Sequence, residues 1–272
     1  MLNLQQLNLP ADFRCVVLTG AGISAESGIP TYRGKDGLWT VGSKDYRPQE
    51  LATYRAFQRD PRAIWSWYFY RRGCCLVAKP NSGHKALVPL QQALGPGRFS
   101  LVTQNVDGLH ARSGIQAENL FEIHGNLHSM RCTLPCTAER FSLDDTQVVE
   151  KGDDLDETAW ARLQCPYCGS LARPHVLWFD ECYDEGLYQS DTVMRRLSAA
   201  DLLLIVGTSG ATTLPLMMLR AALESGLAII DVNPEASSYS AAIEAHSRGL
   251  NIRKTASACL PGLVNGLLEL QA

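Results

Sequence analysis

The stretch Cys15 to Gly28, CVVLTGAGISAESG, constrains the chain most: a short apolar run ends in glycines and passes directly into a helix start. Cys15 to Leu18 is long enough for a strand buried on both faces, and Ser24 is placed to cap a following helix. The spacing Gly20-x-Gly22-x-x-Ala25 fits a tight strand-to-helix turn. Glycine there lets the backbone approach a pyrophosphate, and the helix N-terminus offers free N–H groups to the anion. A plain turn without a ligand satisfies the same spacing. An ordinary dinucleotide fold continues with a second apolar strand and an acidic residue about 20 positions on. Here Ile29 to Trp39 is instead punctuated by Pro30, Gly34 and Gly37, so a nucleotide site at this turn needs a lid-like insertion.

Beyond that loop the elements alternate. Asp60-Pro61 offers an N-cap followed by proline at the first helical position, and Pro80 closes the segment, which predicts a helix from Pro61 to about Ala78. A second amphipathic helix is expected from Gly83. Strands are expected at Phe99 to Thr103, Leu120 to His124, Asp201 to Val206 and Leu227 to Val232, with a helix at Pro215 to Glu224. Gln104-Asn105 and Val232-Asn233-Pro234 follow strand ends, where open parallel sheets place ligands. The fold class is α/β: a Rossmann-like, mostly parallel sheet domain with a smaller domain made of a helical insertion and a zinc-ribbon module. Residues 1–34, 84–128 and 172–272 are assigned to the former, 35–83 and 129–171 to the latter.

The zinc assignment comes from Cys132-x3-Cys136 and Cys165-x2-Cys168, 28 residues apart, which supply four thiolates on two short knuckles. The segment around them is acidic and poor in large apolar residues, so a closed structural metal site would stabilise what hydrophobic burial cannot. The first spacing is one residue longer than usual. Of the nine cysteines the other five, Cys15, Cys74, Cys75, Cys182 and Cys259, sit in apolar surroundings, which suits a reducing compartment better than a disulfide framework.

At 272 residues and 46% hydrophobic content the chain can bury a large core, and a net charge of −3 gives no broad electrostatic reason to expect nucleic acid or an anionic membrane. The opening MLNLQQLNLPADFR lacks the marks of a signal or transit peptide, and no run reaches the ~18 apolar residues of a membrane span. A cytoplasmic location is expected, or a mitochondrial one where a presequence has been removed.

GAGIS, SGIP, TYRG and GLW, followed in order by Gln104-Asn105-Val106-Asp107, Glu122-Ile123-His124-Gly125, the cysteine pairs, Arg173-Pro174-His175-Val176, Gly207-Thr208-Ser209 and Asp231-Val232-Asn233, resemble the sirtuins, NAD-dependent protein lysine deacylases. The resemblance covers roughly residues 13 to 265. It implies NAD as cosubstrate, one structural Zn2+, and His124 as the general base that takes a proton from the NAD ribose, a task that a near-neutral pKa suits. Asn105 and Asp107 would hold the ribose and the nicotinamide pocket. Gly20, Ala21, Gly22, Ile23, Tyr32, Arg33, Gln104, Gly207, Thr208, Ser209 and Asn233 would hold the rest of the cosubstrate. Val176, Trp178 and Glu181 lie in a run that in sirtuins pairs edgewise with acyl-lysine peptides. Three departures stand out: Tyr32 where the family has phenylalanine, Asp180 where it has glycine, and one extra residue between Gly207 and Pro215.

Tyr68 and Arg71, three apart on one helix, match the Tyr-x-x-Arg pair of the sirtuin branch that removes succinyl, malonyl and glutaryl groups, with Ala52 widening the acyl pocket. The resemblance therefore implies a deacylase that prefers acidic acyl groups and releases nicotinamide and O-acyl-ADP-ribose. Blander readings stand beside each residue. His124 could be a hydrogen-bonded strand-end histidine, Gln104 to Asp107 an Asx-type turn, Val176 to Glu181 a buried strand, and Arg71 and Arg72 solvated charges on a helix that packs through Trp65 and Tyr68. The rival functions are a protein mono-ADP-ribosyltransferase or plain deacetylase on the same fold, and a nucleic-acid-binding zinc ribbon, which the acidic balance disfavours.

Overall fold

The computed structural model describes residues 4–29, 40–41, 44–45, 48–134, 136–143 and 149–270. In chain order the strands are β1 (Cys15–Thr19), the two-residue β2 and β3 (Thr40–Val41 and Lys44–Asp45), β4 (Phe99–Thr103), β5 (Leu120–Glu122), β6 (Gly125–Cys132), β7 (Arg140–Ser142), β8 (Ala172–Val176), β9 (Leu202–Val206), β10 (Ala228–Val232) and β11 (Gly249–Ile252). The α-helices are α1 (Gly22–Ala25), α2 (Pro48–Leu51), α3 (Tyr54–Arg59), α4 (Pro61–Val77), α5 (Ser82–Leu94), α6 (Leu109–Ser113), α7 (Glu157–Ala161), α8 (Glu185–Tyr188), α9 (Ser190–Ser198), α10 (Thr213–Glu224), α11 (Ser240–Glu244) and α12 (Ala256–Glu269).

Six strands form a parallel sheet in the order β11-β10-β9-β1-β4-β5. Every residue of β1, β4, β9 and β10 is buried, as expected of continuous apolar runs sandwiched between helices. Alternate residues serve opposite faces. Val17, Leu101, Leu204 and Ile230 share a core with Leu90 of α5 and Leu263 of α12, whereas Val16, Leu18, Leu203 and Ile229 share one with Val193 of α9 and Met218 of α10. The chain runs from β1 to β4 and β5 on one side and returns to β9 to β11 on the other. The order therefore reverses at β1, and the crevice at the carboxyl ends of β1, β4 and β9 is where such a sheet binds ligands.

A third core lies outside this sheet. Asp60 caps α4 through a hydrogen bond from the Ala63 N–H at 3.0 Å, with Pro61 at the first turn, and the helix ends at Val77 before Pro80. Its face carrying Ile64, Trp65, Tyr68 and Phe69 packs against Ala52, Phe57, Met130, Leu155, Leu163 and Trp178. The segment expected to be too poor in apolar residues to fold on hydrophobic burial alone docks on α4. It inserts Leu155 and Leu163 beside α4, Trp65 Nε1 donates to the Ala172 carbonyl at 3.0 Å, and the Leu155 N–H donates to Ser66 Oγ at 3.1 Å.

The smaller sheet has the order β7-β6-β8. Residues 172–176, grouped with the parallel sheet on sequence, pair with β6 in this one. The strand expected over Leu120 to His124 stops at Glu122, which leaves His124 in the turn before β6. Ser24 caps nothing: α1 is a single turn with Ala21 at its N-cap, and the Ser24 hydroxyl is used elsewhere.

Candidate active site

The β1–α1 turn lies against the turn that follows β9. The Gly22 N–H donates to the Gly207 carbonyl at 2.8 Å. A Cβ on Gly22 would fall 2.7 Å from Gly207 Cα, and one on Gly20 would fall 2.8 Å from the Gly207 oxygen. Gly207 itself has φ of +61° and no room for a side chain beside the Ile23 nitrogen. Turn-on-turn packing therefore requires glycine at Gly20 and Gly22, in addition to the approach of a pyrophosphate that the sequence pattern suggests. Ala21 is partly exposed and Ile23 is a core residue.

Ser24 is the hub that the sequence reading missed. Its hydroxyl donates to Asp107 Oδ2 at 2.7 Å and accepts from Asn105 Nδ2 at 3.2 Å. Asn105 also donates to the Gly20 carbonyl at 3.1 Å, and Asp107 Oδ1 takes the Leu109 N–H at 2.8 Å, an Asx turn that starts α6. His84 lies 3.3 Å from Ser24 Oγ through Nε2, while its Nδ1 accepts the Asn81 N–H, so Nε2 carries the proton. Burial lowers the His84 pKa to about 4 and raises that of Asp107, against the hydrogen bonds from Leu109 and Ser24. His84 and His110, with ring centres 4.9 Å apart and planes tilted by 55°, are both neutral buried imidazoles; their polar role has no local sequence signature.

His124 is pinned at both nitrogens. Nδ1 is 3.0 Å from the Gln104 carbonyl, which can only accept, so Nδ1 carries the proton and Nε2 holds the lone pair. Tyr183 Oη lies 2.9 Å from Nε2. Burial outweighs the Gln104 bond and lowers the His124 pKa to about 4, so the near-neutral value expected from sequence is corrected to an imidazole neutral throughout the physiological range. Gln104 is held in turn: Nε2 donates to Thr208 Oγ1 at 2.7 Å, and Oε1 accepts from Thr212 Oγ1 at 2.9 Å. The lengthened Gly207 to Pro215 segment thus braces the residue that orients His124. Thr208 is buried, Ser209 is exposed and gives its carbonyl to Ser238, and Asn233 donates its amide to the buried Asp231. Tyr32 and Arg33 lie outside the described residues.

Tyr68 and Arg71 are both buried, at 2% and 4% exposure, so the reading of Arg71 and Arg72 as solvated charges fails. Tyr68 Oη accepts from Trp178 Nε1 at 2.8 Å, the Arg71 guanidinium stacks 4.8 Å from the Trp67 ring centre, and Arg72 donates to the Leu143 carbonyl. Ala52 is buried beside them and its carbonyl takes the Phe179 N–H at 2.9 Å. The run from Val176 to Glu181 is held mostly by internal partners, with Phe179 and Asp180 exposed. Trp178 is buried, Glu181 is clasped by Arg173 at 2.5 and 2.8 Å, and Asp180 accepts the Tyr54 and Arg55 N–H groups. The N–H groups of Leu177, Trp178, Phe179 and Glu181 all have internal acceptors. Asp180 stays exposed at the end of this run, whereas the Glu181 carboxylate is paired with Arg173.

Cys132, Cys136, Cys165 and Cys168 converge with all four Sγ atoms within 4.8 Å of one another, the shortest separations being 3.3 and 3.5 Å. A tetrahedral Zn2+ with bonds of about 2.3 Å sets sulfurs about 3.8 Å apart, so the set fits one closed structural zinc. No disulfide joins cysteines among the described residues.

The Sir2 family model matches residues 20–213. An NAD-dependent protein deacylase of Leptospira interrogans is 40% identical over 252 residues, covering 93% of this chain and 92% of the relative. One of Aeropyrum pernix is 44% identical over 225 residues, covering 83% and 82%. A solved Sir2 homologue in complex with NAD superposes with a TM-score of 0.80 at 34% identity, over 100% of this chain and 96% of that one. The fold and site define an α/β nucleotide-binding protein with a four-cysteine metal module. The chain belongs to the Sir2 family, the sirtuins.

Proposed function

We propose that this chain is an NAD-dependent protein-lysine deacylase that prefers succinyl, malonyl and glutaryl groups, releasing nicotinamide and O-acyl-ADP-ribose. The observation that carries the reaction type is His124: a neutral imidazole, its tautomer fixed by the Gln104 carbonyl, with Nε2 as the basic atom at the carboxyl ends of the parallel strands. The residues present fit NAD. Asn105 and Asp107 are buried polar groups at the same strand ends, and the buried Tyr239 hydroxyl has no hydrogen-bond partner beside the Ser209–Gly210 turn. Bound NAD supplies the ribose carbon to which the acyl oxygen is transferred as nicotinamide leaves. In this reading His124 Nε2 takes a proton from a ribose hydroxyl, and Gln104, braced by Thr208 and Thr212, keeps the ring oriented. Gly207 to Ser209 and Asn233 hold the phosphate and adenosine side in this reading.

The acyl preference is supported by Tyr68 and Arg71 on one face of α4. The guanidinium of Arg71 is buried, and a guanidinium can hold a terminal carboxylate through two parallel hydrogen bonds. Ala52 leaves space, while Val176 and Trp178 wall the acyl-lysine side. Acyl-lysine peptides are the substrates, and the zinc is structural.

The test is His124→Ala, scored by NAD-dependent loss of acyl mass from a succinyl-lysine peptide. Turnover should fall on the order of 10²–10⁴-fold with folding and NAD binding retained. Near-normal turnover would sink the assignment, and mass added to the protein would favour ADP-ribosyl transfer instead.

A further inference from the structure

We propose that Tyr183 is a positioning residue that holds the place of the ribose hydroxyl on His124 and competes with the cosubstrate for the base's lone pair. This rests on the reading of His124 as the base. A neutral imidazole has one in-plane lone pair, and with Nδ1–H committed to the Gln104 carbonyl that pair is on Nε2. Tyr183 Oη stands 2.9 Å from it, so the hydroxyl must donate. The two rings lie 6.0 Å apart at 31°, so the contact is made through the hydroxyl and not by stacking. Burial pushes the phenol pKa up, so the group stays a protonated donor.

The base is therefore already hydrogen-bonded in the direction from which a ribose hydroxyl must come. One lone pair cannot serve both groups well, so the incoming hydroxyl must displace Tyr183. Tyr183 lies in the connection between β8 and α8, outside any regular element, so its side chain can move without breaking a helix or strand. While it is in place it keeps Nε2 pointed at the site and prevents the imidazole from turning into a non-productive arrangement. The Asp180-Glu181 turn, locked onto α3 and Arg173, fixes where this residue starts.

The experiment is calorimetric titration with ADP-ribose of the full-length wild type, Tyr183→Phe, His124→Ala and the double variant. Removing the competing hydroxyl should tighten ADP-ribose binding about three- to tenfold, the net contribution of one hydrogen bond. The KM for NAD should fall in parallel while kcat does not rise. In the His124→Ala background the same change should alter affinity less than about twofold, because the lone pair is gone. Unchanged or weaker binding in Tyr183→Phe, or equal tightening in both backgrounds, overturns the proposal. Tyr183→Leu, which removes the ring as well, provides a second reading if the phenylalanine variant folds poorly. Normal turnover in His124→Ala would instead remove the base assignment, an outcome separate from the coupling measured here.

Discussion

Ser24 Oγ donates to Asp107 Oδ2 at 2.7 Å and so joins the turn after β1 to the loop after β4, 83 residues away in the chain. The same hydroxyl accepts from Asn105 and contacts His84, so one small side chain satisfies three buried polar groups.

Ser24→Ala should therefore leave buried donors and an acceptor unmet, at a cost of about 1–3 kcal/mol, and lower the thermal midpoint by several degrees. Because Asn105 and Asp107 lose their common partner, the KM for NAD should rise as well. Calorimetry and initial rates check this; an unchanged melting curve would mean that water replaces the hydroxyl at no cost.

His175 gives a pH signature of stability. It is 1% exposed, stacks on Tyr188 at 5.5 Å, has no hydrogen-bond partner at either nitrogen, and faces Arg131, Arg140 and Arg173. Burial first and those cations second lower its pKa to about 3. The unfolded chain, titrating near 6.5, then binds the proton that the fold refuses, so this group's contribution falls as pH drops from about 6.5 toward 3. At pH 5 the loss is about 2 kcal/mol. His175→Phe, which keeps the stacking, should gain that much on wild type between pH 7 and 5 in urea unfolding; a pH-independent difference would contradict it.

Metal removal tests the cysteine cluster. Chelation, and Cys165→Ser, should destabilise β6 to β8 and the α4 face they cover, and saturating NAD should not restore the lost stability. Elemental analysis should find one zinc per chain. A metal-free protein with full activity and an unchanged melting curve would overturn the structural role.

The buried strands and the capped helix α4 were legible because each follows from local pattern: unbroken apolar runs at Leu202 to Val206, and Asp60-Pro61 at a helix start. The cysteine cluster was legible because ligand spacing is local too. What was not legible depends on contacts between distant segments. Ser24 reads as a cap until Asp107 and Asn105 arrive beside it, and nothing local shows that Gly20 and Gly22 must also admit Gly207 against them. The clasp of Glu181 by Arg173 and the approach of Tyr183 to His124 carry no sequence signal, since only the fold brings these groups together. The near-neutral pKa expected for His124 failed for the same reason, burial being a property of the assembled chain.

The central claim is tested most directly by kcat/KM for succinyl- and acetyl-lysine versions of one peptide, at saturating NAD, on wild type and Arg71→Met. The account predicts NAD-dependent turnover that favours the succinyl peptide in the wild type. Losing charged hydrogen bonds costs about 1.5–3 kcal/mol each, so Arg71→Met should lower succinyl efficiency roughly ten- to several-hundredfold. Acetyl efficiency should hold, because an acetyl group has no carboxylate for Arg71 to bind. Equal losses on both peptides would show that Arg71 supports α4 instead of the acyl chain, and no NAD-dependent turnover of either would contradict the deacylase reading itself.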